Sequence, residues 1–166
     1  MKIISGGQSG VDRAALDAAI ECGLVTGGWC PRNRRAEDGV IDVRYPLRET
    51  ASEDYEERTL WNVRDSDATL IVRGPDTGGG TAFTIECAER LGKPYFIVQF
   101  DEDDAWRKAL VWLHSNRIEV LNVAGPREST VPGAYAAAKA ILIKILATIQ
   151  ENGQTRQNSN VNPNKD

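Results

Sequence analysis

Residues 2–20 read KIISGGQSGVDRAALDAAI, and this stretch decides the expected fold. It opens with a short β-rich run, Lys2–Ser5, that ends in two glycines, and an alanine-rich run with helical spacing follows to Gly23. Small side chains let a helix lie close to a sheet, and glycine suits the left-handed residue that follows a helix. The stretch therefore predicts a strand, a glycine turn and a helix, which together open an α/β fold.

The same order of strand, glycine-rich loop and helix recurs along the chain. Ala68–Arg73 is an almost unbroken apolar run, which is typical of a strand covered on both faces. A second glycine-rich loop follows it at residues 74–81, and a third loop at residues 124–129 follows the strand predicted at Ile118–Val123. This alternation predicts a Rossmann-like, doubly wound α/β fold with a mainly parallel sheet and helices on both faces.

The remaining segments complete the predicted domain. Thr50-Ala51-Ser52-Glu53 has the spacing of a capping box and predicts a helix that runs to about Arg64. Residues 24–48 are irregular, and we expect a long, partly ordered connection there. The last helix is predicted to end near Gln150, so residues 1–150 form a single ligand-binding domain and residues 151–166, which are almost entirely polar, form a disordered tail.

Composition narrows the classes of partner. The net charge of −4 opposes the long-range attraction that nonspecific nucleic-acid binding requires, so we expect no nucleic-acid partner. No apolar run approaches the length of a membrane span, and the chain opens without the pattern of a secretory signal. Three cysteines without a C-x-x-C pair are expected to stay reduced. We therefore expect a cytoplasmic protein without a membrane partner.

The three loops are expected to form one anion-binding site. Parallel strands bring the loops that follow them to the same edge of the sheet, where ligands of such folds bind. Glycines let backbone N–H groups approach a ligand, and helix starts add unpaired N–H groups and positive potential. The candidate ligand-binding residues are Gly6, Gly7, Gln8, Ser9, Gly10, Asp12, Arg13, Trp29, Arg35, Asn62, Gly78, Gly79, Gly80, Thr81, Arg127 and Ser129.

Several of these residues have a structural alternative. A glycine turn can simply link a strand to a helix, and Thr81 can cap the helix that follows it. Trp29 can fill a core instead of stacking on a planar ligand, and Arg35 can lie on a solvated loop instead of gripping phosphate. The single histidine, His114, lacks a second ligand at metal-binding spacing, so we expect no metal site.

Several stretches of the chain resemble those of a known protein family. They are Gly6–Asp17, Gly27–Pro31, Arg35–Gly39, Tyr45–Leu47, Arg58-Thr59, residues 62–63 and 65–69, Gly78–Thr81 and Asn122–Ser129. Over about residues 3–145 the chain resembles the molybdenum carrier family, which is similar to the group that includes the LOG-type (lysine-decarboxylase-like) nucleotide phosphoribohydrolases. The resemblance implies a Rossmann-like homo-oligomer that holds molybdenum cofactor (molybdopterin) or a nucleotide-like ligand, with molybdoenzymes or cofactor-synthesis proteins as partners.

One departure bears on chemistry. LOG-type hydrolases carry a Pro-Gly-Gly-x-Gly-Thr-x-x-Glu motif whose glutamate acts on the N-glycosidic bond, whereas here the third residue after Thr81 is Thr84, and Glu86 lies two further on. We therefore expect a carrier without catalytic residues. Two alternatives stay open, namely a nucleotide-cleaving hydrolase with Asp12 or Glu86 as acid or base, and an interaction module whose loops bind only adventitious anions.

Overall fold

The computed structural model describes residues 1–74 and 79–160, with side chains described as far as residue 153. Over these residues the strands are β1 (Lys2–Ile4), β2 (Val25–Gly27), β3 (Trp29–Cys30), β4 (Arg35–Ala36), β5 (Gly39–Val40), β6 (Arg48–Glu49), β7 (Ala68–Arg73), β8 (Tyr95–Gln99) and β9 (Val120–Ala124). The helices are α1 (Val11–Glu21), α2 (Tyr55–Arg64), α3 (Gly79–Arg90), α4 (Ala105–Asn116) and α5 (Ala134–Asn160).

A five-stranded parallel sheet in the order β2-β1-β9-β7-β8 forms the centre of the fold. The last strand, β9, lies between β1 and β7, with Asn122 beside Ile4 on one side and Thr69 on the other. The loops that leave β1, β7 and β9 therefore start side by side at one edge of the sheet, as the sequence predicts.

Helices cover both faces of the sheet, which confirms the doubly wound α/β fold. On one face α1 and α4 pack against α5, and the core there includes Ile3, Val72, Leu121 and Leu142. The alanines of α1 are fully buried, and their small side chains let the helix lie close to the strands. On the other face α2 packs against α3.

The connection between β2 and α2 is ordered by one arginine. The guanidinium of Arg34 donates hydrogen bonds to the carbonyl oxygens of Ile41, Asp42, Tyr45 and Leu47 at 2.8–3.2 Å. Arg34 thus supplies donors to loop carbonyls that have no regular ladder of their own. Two short ladders, β3 with β6 and β4 with β5, complete this segment.

Two predicted boundaries differ from the structure. Helix α2 begins at Tyr55, because the Thr50 hydroxyl bonds to the carbonyls of Cys30 and Ser52 instead of capping a helix. Helix α5 runs to Asn160 instead of ending near Gln150, so residues 151–160 are helical where a disordered tail is predicted. No proline interrupts this stretch to remove a backbone donor, so the helical hydrogen bonds continue. Residues 161–166 lie outside the described residues.

Candidate functional site

A cavity of about 720 Å³ lies at the carboxyl ends of the central strands. This volume is within the range of pockets that hold small-molecule ligands. Loop β1–α1, helices α2 and α3, and loop β9–α5 supply its walls, so the cavity joins the regions that sequence alone predicts to converge. The lining residues that bear on function are Gln8, Asp12, Tyr55, Arg58, Gly79, Gly80, Thr81, Thr84, Arg127 and Ser129.

Three polar side chains that line the cavity, Gln8, Arg58 and Thr81, each have a buried atom that is unpaired among the described residues. Gln8 is 4% exposed, and its Oε1 accepts hydrogen bonds from the backbone N–H groups of Ser9 and Glu37. Its Nε2, like the hydroxyl of Thr81, has no hydrogen-bond partner among the described residues. An unsatisfied buried polar group costs about 1–3 kcal/mol, so these two donors are well suited to a ligand that restores the missing bonds.

The start of α3 forms one wall of the cavity. Gly79 and Gly80 are exposed there, and apart from the neighbouring residues and the backbone of the helix, no atom of the described residues lies within 4 Å of where a Cβ on either would stand. The first N–H groups of a helix have no partner within the helix and carry its positive dipole end. Thr81 lies inside the first turn of α3 as the structure describes it, and its hydroxyl has no partner in residues 1–74 and 79–160. The predicted site residue Gly78 lies outside the described residues.

A buried ion pair forms another part of the wall. Arg58 Nη1 donates to Asp12 Oδ2 at 2.9 Å, and both side chains are at least 88% buried. Burial raises the pKa of Asp12, although the Arg58 guanidinium opposes that shift. A Cβ on Gly6 would stand 1.8 Å from Arg58 Nη1, so this glycine makes room for the arginine.

Arginines surround the ring of Tyr55 at the cavity. The guanidinium carbons of Arg127, Arg35 and Arg58 lie 5.1, 5.6 and 6.0 Å from the ring centroid. Arg58 and Arg127 line the cavity, whereas Arg35, the predicted second clamp, is not among its lining residues. Guanidinium groups over an aromatic ring are held in place by the ring and give this side of the cavity positive charge.

Glu37 occupies several donors that sequence alone assigns to a ligand. Its carboxylate accepts hydrogen bonds from the Ser9 hydroxyl and from both the hydroxyl and the N–H of Ser129, and it pairs with Arg127 Nε at 3.8 Å. Partial burial acts to raise the pKa of Glu37, but the hydrogen bonds from Ser129 and Ser9 outweigh it, and the pKa is lowered. Glu37 therefore neutralises the positive charge of Arg127 and accepts the hydrogen bonds of Ser9 and Ser129 where loops β1–α1 and β9–α5 meet.

The rest of the first glycine loop is also bound internally. Arg13 pairs with Asp38 at 2.5 Å and donates to the carbonyl of Gly7, so its guanidinium faces the β4–β5 hairpin. The backbone of Gly7 and Gly10 has positive φ, and the N–H of Val11 donates to the Pro126 carbonyl. The start of α1 thus closes against loop β9–α5, and Asp12 is the residue of this helix that lines the cavity.

Two predicted site residues lie away from the cavity and support each other. The Asn62 amide accepts from the N–H of Trp29 at 2.8 Å and donates to its carbonyl at 2.9 Å. The Trp29 indole packs edge-on against Trp61, and its N–H donates to Asp65. With these groups already paired, Asn62 and Trp29 fix strand β3 beside α2, and neither is among the cavity-lining residues.

Thr84 stands at the position where LOG-type hydrolases carry their glutamate. Thr84 lines the cavity and its hydroxyl bonds to the Gly80 carbonyl, whereas the Glu86 side chain is 59% exposed beside Arg90.

Within residues 1–74 and 79–160, no group of three or more His, Cys, Asp or Glu side chains is arranged to hold a metal ion. Over the same residues, every helix is too short or too polar to cross a membrane.

Sequence reasoning alone does not select Arg58, Tyr55 or Glu37. Tyr55 and Arg58 are spaced three and four residues along α2 from each other and from the predicted site residue Asn62, so they share its face of the helix. Helical spacing therefore offered a signal for both. Glu37 carries no such signal, since it contacts Ser9 and Ser129 across 28 and 92 residues of sequence.

Known proteins resemble the chain over most of its length. The model of the circularly permutated YpsA SLOG family matches residues 3–146. A crystal structure of a "putative molybdenum carrier protein" from Syntrophus aciditrophicus SB is 42% identical and covers 87% of this chain and 93% of that chain, with a TM-score of 0.81. A search of curated proteins gave no match. The chain belongs to the circularly permutated YpsA SLOG family.

Proposed function

We propose that this chain binds and carries a small phosphate-bearing ligand, molybdenum cofactor or a related pterin or nucleotide, without cleaving it. One observation carries the proposal: a cavity at the carboxyl ends of the strands is lined by three residues, Gln8, Arg58 and Thr81, whose buried donors lack partners among the described residues. The start of α3 and the guanidinium group of Arg127 line the same cavity. This combination suits an anion with further polar atoms.

The groups around the cavity fit both parts of such a ligand. Hydroxyl, amide and guanidinium donors suit phosphate oxygens and ring heteroatoms, and the arginine-flanked ring of Tyr55 offers an aromatic face. Gly79, Gly80, Thr81, Gln8 and Arg58 would hold molybdenum cofactor through its phosphate and its ring. The bound group would supply the molybdenum chemistry, while the chain supplies binding and orientation.

The name of the similar crystal structure, a molybdenum carrier, supports the carrier reading. A carrier must release its cargo, so molybdoenzymes or cofactor-synthesis proteins are the proposed recipients. The exposed position of Glu86 and the threonine at position 84 argue against hydrolysis of the LOG type.

The proposal is tested by calorimetric titration of the purified chain with a pterin phosphate and with nucleoside monophosphates, after native mass spectrometry of any copurified ligand. Thr81→Val removes one unpaired donor with little change in shape, and we expect affinity to fall about tenfold. Thr148→Val is the matched control, since the Thr148 hydroxyl bonds to its own helix and does not line the cavity. Saturable binding that is equally strong in both variants would refute the assigned site.

A second candidate function, nucleotide cleavage, is favoured by one observation. Asp12 lines the cavity and burial raises its pKa, as expected of a general acid. Release of free base from nucleoside monophosphates, measured by chromatography and abolished in Asp12→Asn, would establish this function and exclude the carrier. Intact nucleotide after long incubation with the wild-type chain would exclude the hydrolase.

A further inference from the structure

The turn of the β4–β5 hairpin brings an acidic side chain to the edge of the candidate site. Glu37 and Asp38 form this turn between Arg35–Ala36 and Gly39–Val40. The Glu37 carboxylate accepts hydrogen bonds from Ser9 and Ser129 and pairs with Arg127. Two hydroxyls, one backbone N–H and one guanidinium therefore converge on a single anion, as donors do around a bound phosphate.

This cradle adjoins the cavity. Arg127 and Ser129 both hold Glu37 and line the cavity, so a ligand that bonds to them competes with the Glu37 carboxylate. Glu37 itself lines a neighbouring pocket that shares Ser129 with the cavity. Other donors of the cavity lining are unpaired among the described residues, at Gln8, Arg58 and Thr81. The site thus has one set of donors that is unpaired among the described residues and one set that the protein has already filled.

The hairpin is fixed so that the carboxylate stays in place. The N–H of Glu37 donates to Gln8 Oε1 at 2.9 Å, and Asp38 accepts two hydrogen bonds from the Arg13 guanidinium. Hydrogen bonds from Ser129 and Ser9 lower the pKa of Glu37 against the effect of burial, so the group is anionic at neutral pH. A ligand anion would have to displace a preorganised internal one.

We propose that Glu37 is the specificity-determining residue of the cavity, because its carboxylate occupies the place of a second phosphate group and restricts the ligand to phosphomonoesters. The inference rests on the proposed phosphate-binding function and states which class of phosphate ligand that function accepts. A diphosphate meets like-charge repulsion from Glu37 and finds the Ser9, Ser129 and Arg127 donors already taken.

Equilibrium dialysis of the wild-type chain against radiolabelled inorganic phosphate and pyrophosphate tests the inference without knowledge of the natural ligand. Extra charge ordinarily favours pyrophosphate at a cationic site, but here we expect its affinity to be within about threefold of that of phosphate. Pyrophosphate that binds the wild-type chain tenfold or more tightly than phosphate would overturn the inference.

The variant Glu37→Gln removes the charge but keeps an acceptor oxygen for the hairpin. We expect it to favour pyrophosphate over phosphate by about tenfold or more. Glu53→Gln is the charge-matched control, because Glu53 pairs with Arg35 and Asn33 and is outside the cradle, and its ratio should match that of the wild-type chain. Thermal unfolding checks that each variant is folded.

The outcomes separate the two proposals. An unchanged ratio in Glu37→Gln, with both anions still bound, would overturn the role of Glu37 and leave the phosphate-binding function standing. Failure of either anion to bind the wild-type chain would overturn the proposed function, and the specificity inference with it.

Discussion

Two glycine-rich regions lie at the carboxyl edge of the sheet, the first at residues 6–12 and the second at the start of α3, residues 79–81. They look alike in sequence but differ in their surroundings. A Cβ on Gly10 would stand 2.5 Å from the Pro126 carbonyl oxygen, and the residue has φ 75° and ψ −130°. Within the part of the chain that the structure describes, and leaving out their neighbours and the backbone of the helix, Gly79 and Gly80 have no atom within 4 Å of the corresponding point. Packing therefore requires the glycine of the first region but not those of the second. Only in the second is the close approach of a ligand left as the reason for glycine.

The polar groups of the two regions differ in the same way. In the first, Ser9 and Arg13 are paired with Glu37 and Asp38 of the hairpin, and Gln8 keeps one unpaired donor among the described residues, its Nε2. Thr81, in the second, has a buried hydroxyl without a partner among the described residues. A glycine loop before a helix is thus not sufficient evidence for anion binding, because its donors can be satisfied from within the protein.

The largest expected loss of stability tests how strongly internal contacts hold the first region in place. Arg58→Met leaves the buried carboxylate of Asp12 without its cation, and we expect the free energy of unfolding to fall by about 3–5 kcal/mol. Arg64→Met is the control, since its partner Asp65 is exposed and the loss there should be below about 1 kcal/mol. Chemical denaturation measures both. Equal losses would show that the Asp12–Arg58 pair does not anchor this loop.

A smaller loss is expected where the glycine itself is changed. Gly10→Ala forces a side chain into a backbone conformation that favours glycine and against the backbone of residues 126–128. We expect the free energy of unfolding to fall by about 2–4 kcal/mol, again measured by chemical denaturation. A loss below about 1 kcal/mol would mean that packing does not explain the glycine.

The same substitution in the second region should have the opposite effect on stability. Gly80→Ala adds a methyl group in open space at a helical position, so we expect the free energy of unfolding to rise by up to about 1 kcal/mol. Binding of phosphate should weaken, because the methyl group stands where an anion would approach. A stabilised variant that binds phosphate as well as the wild-type chain would remove the functional reason for this glycine.

The smallest effect concerns pH, and its sign differs between two carboxyl groups. The pKa of Glu37 is below its usual 4.5, so its contribution to stability is present above that pH and is lost as the pH falls through the lowered pKa. The pKa of Asp12 is above its usual 3.8, so stability is lost as the pH rises from there through the raised pKa.

Unfolding measured from pH 3 to pH 7 checks this difference. Glu37→Gln should flatten the loss of stability on the acid side, and Asp12→Asn should remove the loss that accompanies a rise in pH. Parallel pH profiles for the two variants would contradict the assigned environments.

Regular features of the sequence were sufficient to predict the fold. The apolar run at Ala68–Arg73 identifies a buried strand, and the alternation of strands and helices identifies the parallel sheet and the edge where its loops meet. The candidate site is predicted in part, since Gln8, Gly79, Gly80 and Thr81 follow strands and line the cavity.

The remainder depends on contacts that no local pattern records. Glu37 lies in an irregular segment, and its contacts with Ser9 and Ser129 exist only once the hairpin has folded onto both loops. Thr50 fits a capping box by spacing, but its hydroxyl bonds to carbonyl groups that tertiary packing brings near. Asn62 is polar and lies on α2, a helix that lines the cavity, but both ends of its amide bond to the backbone of Trp29.

Titration of isotopically labelled protein with inorganic phosphate, followed by NMR of the backbone amides, tests the central comparison most directly. We expect saturable shifts of the Gly80 and Thr81 amides at the start of α3 and little change at Gly7 and Gly10. Shifts centred on Gly7 and Gly10, with Gly80 and Thr81 unmoved, would contradict the account.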